Sequence, residues 1–235
     1  MTNTVPLLSS RTISTLRPSE YTGALIQALR TAPERIAGAA VIEIGSGSGV
    51  ILAAMASLGA ASLCGVDIEH EAVLAGAELL ASLGYGDVSR FHHGNLWEPV
   101  QGQRFDLVVA NLPHFPMARG KVPGRRPSWS SGGIDGRRLL DPFLDGLGDH
   151  LAGRGRAIIT HNGFVCLDRS REILRRHGLG AEVIFTTLVH LPPEKMELMT
   201  DSVLAAEEGR TILRYGPYAF GEMHIVEIAA LQTPG

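Results

Sequence analysis

Apolar positions along this chain follow two rhythms in alternation. Short continuous apolar runs, each closed by Gly, Asp or Asn, alternate with longer stretches whose apolar residues fall at helical spacing. The first helical stretch runs from Pro18 to about Ala32. A strand follows at Ala40–Ile44, then a helix at Val50–Leu58. Ser62–Val66 reads as a second strand ending at Asp67. Glu71–Leu83 has Val73, Ala77 and Leu80 on one helical face. Asp87–Phe91 and Phe105–Ala110 are the third and fourth strands, and Arg137–Leu151 is a helix. Arg156–His161 is the fifth strand, and Leu167–His177 a helix that stops near Gly178. Ala181–Val189 is the sixth strand. Glu222–Ala230, the seventh, alternates as an edge or antiparallel strand does. Strand and helix in strict alternation predict an α/β fold with helices on both faces of a mostly parallel sheet.

Two segments break the rhythm. Met117–Gly133 is rich in Gly, Pro, Ser and Arg and reads as a loop over the sheet edge. Leu191–Pro217 inserts a helix-like piece before the last strand, and long insertions in compact domains are usually functional or disordered. The expected division is one domain, 1–235. It has a leading segment and helix at 1–38, a core at 39–190, an insertion at 191–217 and a last strand and tail at 218–235.

Composition narrows the class. The 235 residues are 45% hydrophobic and 19% charged, with net charge −3, which disfavours a general nucleic-acid binder. No apolar run reaches membrane-spanning length, and the amino terminus lacks the apolar core of a signal peptide, so a cytoplasmic protein without a membrane partner is expected. Cys64 and Cys166 both sit in apolar runs and read as buried free thiols. No zinc-ligand spacing is present, so no metal is expected. Oligomeric state is not legible.

Candidate chemistry gathers where two strands end. Glu43-Ile44-Gly45-Ser46-Gly47-Ser48-Gly49 closes the first strand with glycines that allow a sharp turn and close approach to a ligand. Its spacing is G-x-G-x-G, unlike the dinucleotide fingerprint. Asp67 ends the next strand, where a carboxylate can accept both ribose hydroxyls of a nucleoside. That acid also suits NAD, which keeps a nicotinamide enzyme as an alternative. Asn111-Leu112-Pro113-His114-Phe115 closes the fourth strand. Taken singly, these motifs fit ordinary turns. Taken together, they suggest a methyl donor beside a planar nitrogen acceptor.

The glycine loop with Glu43 and Asp67 resembles the first two motifs of class I S-adenosylmethionine-dependent methyltransferases. The resemblance implies a Rossmann-like three-layer sandwich of seven strands, mostly parallel with an antiparallel last strand. It sets Gly45, Ser46, Gly47 and Gly49 against the amino-acid part of S-adenosylmethionine, Asp67 on the ribose and Ile68 beside the adenine. His93-Gly94-Asn95-Leu96-Trp97 falls where the family contacts the adenine, with Asn95 in a place where Asp is frequent; Glu43, Leu96 and Asn111 complete the expected cofactor set. Asn111-Leu112-Pro113-His114 resembles the Asn-Pro-Pro-Tyr motif of amino-group methyltransferases.

The wider match is to glutamine methyltransferases of the HemK/PrmC type. Thr15-Leu16-Arg17-Pro18-Ser19-Glu20-Tyr21-Thr22 is similar to their Pro-Arg-Pro-Glu-Thr segment. Leu96-Trp97-Glu98-Pro99 is similar to their approach to the fourth strand, and Ser131-Gly132-Gly133-Ile134-Asp135-Gly136 to their Gly-Gly-x-Asp-Gly turn. Leu112 stands for the first proline and His114 for the tyrosine. The helical domain that bacterial members carry before the catalytic one is not expected.

The expected catalytic set is Asn111, Leu112, Pro113 and His114. The side-chain oxygen of Asn111 and the carbonyl of Leu112 would hold the two N–H bonds of the acceptor, Pro113 would stiffen the turn and His114 would stack on the planar group. Arg17, His114, Phe115, Trp129 and Tyr218 are candidates for the acceptor pocket. Lys121, Arg125 and Arg126 form a basic stretch near Trp129, too few charges to decide for RNA. His190 or His224 could take the proton released. The acceptor is read as a protein glutamine or a small metabolite, with a nucleobase third. A cofactor-binding subunit without activity is the rival of another class.

Overall fold

In a computed structural model, residues 17–117 and 131–231 are described. Helix α1 (Glu20–Arg30) leads in, followed by β1 (Ala40–Ile44), α2 (Val50–Ser57), β2 (Ser62–Asp67), α3 (His70–Ser82), β3 (Ser89–His93) and β4 (Phe105–Ala110). Then come α4 (Leu140–His150), β5 (Leu151–Asn162), α5 (Leu167–Arg176), β6 (Leu179–Leu191), α6 (Pro193–Met196), α7 (Asp201–Glu207), β7 (Ile212–Tyr215) and β8 (Tyr218–Ala230).

The chain divides into two compact units. The first comprises Met1–Asn111 and Asp149–Ile158. Its strands lie in the order β3-β2-β1-β4-β5, and β2 with β3, β1 with β2, and β1 with β4 pair in parallel. Burial explains the apolar runs: Val41, Ile42, Leu107, Val108 and Val109 lose essentially all their exposure, as expected of parallel strands covered on both faces. Gly65 and Gly76 are both required by one ring, because a Cβ on either would lie within 2.6 Å of Phe91. Trp97 stacks on His150 with ring centroids 4.4 Å apart.

The second unit comprises Leu112–Gly148 and Ile159–Gly235. The end of β5 belongs to it, and β8 pairs antiparallel with β6 on one side and β7 on the other. The sheet is therefore α/β, mostly parallel with antiparallel strands at one edge, as the alternation predicted. Eight strands are described, not seven. The extra one is β7, which lies inside the 191–217 insertion together with α6 and α7. Four residues are too few to show an alternating pattern, and β7 exists only because β8 offers it a partner. Strands β5, β6 and β8 also run longer than expected, since backbone pairing continues past the apolar run. Cys64 is buried, but Cys166 is exposed: it opens α5 in a left-handed conformation, φ 50°, turned out of the core. Among the described residues, no helix is long and apolar enough to cross a membrane.

Candidate active site

In the first unit the glycine loop is built by three positive-φ glycines, Gly45, Gly47 and Gly49. At Gly49 geometry excludes any side chain, because φ is 75° and a Cβ would lie 2.9 Å from the Gly76 backbone of α3. That close approach seats α2 against α3. The loop is tied to β2 at both ends of its turn. The N–H groups of Gly45 and Ser46 donate to the Val66 carbonyl at 2.8 and 3.0 Å. Gly47 N–H donates to one carboxylate oxygen of Asp67 and Glu69 N–H to the other, each at 2.9 Å. Asp67 therefore shapes the loop.

Glu43 is 2% exposed, and burial, reinforced by the nearby Asp67 charge, raises its carboxyl well above the usual range. Glu43 Oε2 and the hydroxyl of Ser46 are buried without a hydrogen-bond partner. Buried polar atoms left without partners cost free energy, and a polar ligand in the loop would satisfy them. The residues present thus fit the amino-acid part of S-adenosylmethionine. Ile68 is exposed just beyond Asp67, and its carbonyl is held by His93 Nε2 at 2.9 Å. Leu96 adopts φ 46°, and Asn95 donates to Glu98 at 3.3 Å. Asn111 follows β4, and its Nδ2 donates to Thr22 Oγ1 at 3.4 Å; Thr22 also accepts from Ser19 N–H at 3.2 Å. This turns the carboxamide with its nitrogen toward α1 and accounts for the Pro18–Thr22 segment beside the motif.

The second unit begins at Leu112. His114 is 4% exposed, and its Nδ1 lies 2.5 Å from the Leu112 carbonyl. Since a carbonyl only accepts, Nδ1 carries the proton. Burial pulls the His114 ring down to about 4, so it is neutral near pH 7. The ring expected to stack on the acceptor is thus tied to the Leu112 carbonyl, the group expected to hold that acceptor. Phe115 is buried edge-on to Phe164, centroids 6.1 Å apart, with Lys195 Nζ 4.7 Å above its ring. The insertion is pinned to the same loop by Thr200 N–H, which donates to the Pro116 carbonyl at 3.0 Å, and Met199 is buried beside it.

Other expectations fall elsewhere. Tyr218 is exposed on β8, its ring 6.3 Å from His190. His224 is bonded to Thr186 at 2.9 Å on neighbouring strands, and burial lowers its pKa. Arg17 is exposed ahead of α1. Trp129, with Lys121, Arg125 and Arg126, lies outside the described residues, as do Thr15 and Leu16. No group of His, Cys, Asp and Glu able to hold a metal occurs among the described residues. Sequence reasoning did not find Arg137, Ser170 or Lys195. The one signal available was the place of Arg137, directly after the Gly-Gly-x-Asp-Gly turn.

The family model for ribosomal protein L11 methyltransferase (PrmA) matches residues 21–116. A protein of Methanocaldococcus jannaschii, named as a candidate protein N5-glutamine methyltransferase, is 32% identical over 66% of this chain and 77% of its own length. The release factor glutamine methyltransferase of Geobacter sulfurreducens is 37% identical over 56% of this chain, and the match spans about half, 48%, of that relative. Among solved structures, a candidate RNA methyltransferase from Pyrococcus horikoshii superposes with TM-score 0.61 at 19% identity, covering 92% of this chain and 86% of that one, and so shares the fold. With the archaeal relative 32% identical and matched over 77% of its length, this methyltransferase belongs to the protein N5-glutamine methyltransferase family of the HemK/PrmC type.

Proposed function

We propose that this chain transfers a methyl group from S-adenosylmethionine to the side-chain amide nitrogen of a glutamine in a protein. The observation that carries the reading is the turn after β4: an Asn111 carboxamide followed by a Leu112 carbonyl whose direction is held by His114 Nδ1–H. An amide nitrogen is a poor nucleophile because its lone pair is delocalised. Two acceptors that hold both its N–H bonds can reduce that delocalisation and aim the lone pair. Orientation of this kind can contribute roughly 7–11 kcal/mol to rate acceleration. The Leu112 carbonyl has two lone pairs, so it can accept from His114 and from the acceptor amide together. The burial of His114 keeps this turn dry, which strengthens each hydrogen bond in it.

The glycine loop, Glu43, Ser46, Asp67, Ile68, Asn95 and Leu96 would hold the donor. Bound there, S-adenosylmethionine supplies a methyl on a sulfonium sulfur, open to attack by the nitrogen lone pair with loss of the nitrogen's proton. A glutamine acceptor follows from the names of the two relatives together with a turn that suits an amide. Incubating the purified chain with methyl-labelled S-adenosylmethionine and a lysate of its source cells tests this. Label in the protein fraction, recovered on digestion as N5-methylglutamine, is the expected result. Label confined to small molecules or to RNA would sink the glutamine reading and keep the transfer chemistry.

A further inference from the structure

The turn that carries Leu112 and His114 is braced from behind. A Cβ on Gly132 would lie 2.7 Å from His114 Cα, and one on Gly136 would lie 2.7 Å from the His114 carbonyl oxygen. Arg137 comes next and is 3% exposed. Its guanidinium reaches four acceptors. Nε donates to Asp141 at 2.7 Å, Nη1 to the Val165 carbonyl and to the Cys166 carbonyl at 3.0 Å, and Nη2 to Ser170 Oγ at 2.9 Å. Ser170 Oγ in turn lies 2.8 Å from His161 Nε2.

The direction of this chain can be worked out. His161 Nδ1 faces the Asn162 carbonyl at 2.8 Å, and a carbonyl only accepts, so the ring proton sits on Nδ1. The bare Nε2 therefore accepts from the Ser170 hydroxyl, whose oxygen accepts from Arg137. The His161 ring centroid is 6.3 Å from that of His114, the donor to the Leu112 carbonyl. Packing accounts for the burial of Arg137 and for its ion pair with Asp141. It does not account for a hydroxyl and an imidazole, both essentially without exposure, lined up from donor to acceptor and ending on the Asn162 carbonyl, with the imidazole beside the His114 ring.

We propose that Arg137 is a positioning residue for the acceptor turn: through Ser170 and His161 it sets the tilt of the His114 ring, and so the aim of the Leu112 carbonyl. The proposal rests on the reading of that carbonyl as a holder of the acceptor amide. An aiming error of about 1 Å in such a group can cost roughly 10²-fold in rate.

The test compares the wild-type chain with Ser170→Ala, which breaks the line at one atom, Ser170→Thr, which keeps the hydroxyl, and Arg137→Lys, which cannot reach all four acceptors. Imidazole ¹⁵N–¹H NMR is recorded without any methyl acceptor, beside S-adenosylmethionine affinity and melting temperature. Ser170→Ala should shift the His114 Nδ1–H signal and speed its exchange with solvent, and Ser170→Thr should restore both, with cofactor affinity within about twofold of wild type. With whichever acceptor the labelling identifies, kcat should fall at least tenfold in Ser170→Ala with little change in KM. His114 signals in Ser170→Ala and Arg137→Lys that coincide with those of wild type would overturn the proposal. Should Ser170→Ala not fold, Arg137→Lys carries the same measurement. The NMR arm needs no acceptor, so it decides the proposal even if no protein is labelled, an outcome that would count against the glutamine reading alone.

Discussion

His114 shows how one side chain changes the chemistry of a motif. It stands where the resembled motif has tyrosine, and its imidazole, with a ring N–H, is tied to the Leu112 carbonyl. The bond requires burial, and burial has a thermodynamic consequence. His114 is pulled down to about 4 and His161 to about 3, each mainly by desolvation, from an ordinary value of 6.5. Between these values and 6.5 the unfolded chain holds protons that the folded chain does not. Stability is therefore fully present above about pH 6.5 and is lost as pH falls through the window, by about 3 kcal/mol for His114 alone at pH 4. Urea melts at pH 7 and pH 4.5 check this, and His114→Gln should flatten the difference. Asn111 is the other residue on which the turn depends. Asn111→Ala should reduce methyl transfer by roughly 10²-fold or more through lost orientation, a larger loss than it causes in cofactor affinity. A single-turnover assay with calorimetry separates the two, and surviving activity would remove Asn111 from its role.

At the scale of elements, each motif lies where a strand end is held by neighbouring segments. The glycine loop leaves β1, is tied to the β2 end through Asp67 and Val66, and seats α2 on α3 at Gly49. Gly49→Ala should combine left-handed strain, about 1–2 kcal/mol, with the clash against the Gly76 backbone. The expected result is a lower melting temperature and a larger loss of S-adenosylmethionine affinity, read by calorimetry at a temperature where the variant is folded. The turn after β4 is held between the Gly132–Gly136 segment and the insertion, which reaches it through Thr200 and Lys195. The elements were largely legible, since β1 and β4 match their predicted bounds and the helices differ by a few residues. The insertion was not, because α6, α7 and β7 are too short to carry a period of their own.

For the whole molecule, folding and donor binding should be linked. A ligand that binds only the folded chain, present at about 100 times its dissociation constant, stabilises by about 2.7 kcal/mol. S-adenosylmethionine should raise the melting temperature accordingly, and NAD should not. A shift with NAD alone would revive the nicotinamide alternative.

Local order in the sequence was enough to determine the α/β alternation, the parallel core strands, the antiparallel last strand, the glycine turn and the Asn-Leu-Pro-His turn. Each of these is set by neighbours within a few positions: an apolar run, a residue that permits positive φ, a proline that ends a strand. What surrounds the second turn was decided only by tertiary structure. Arg137, His161, Ser170 and Lys195 are far from it in sequence, and apart from the place of Arg137 after the Gly-Gly-x-Asp-Gly turn nothing in their spacing marks them as its neighbours. Folding brings them there and removes water. Desolvation then turns an ordinary histidine into a neutral donor that holds the Leu112 carbonyl, and no reading of local pattern contains that energy.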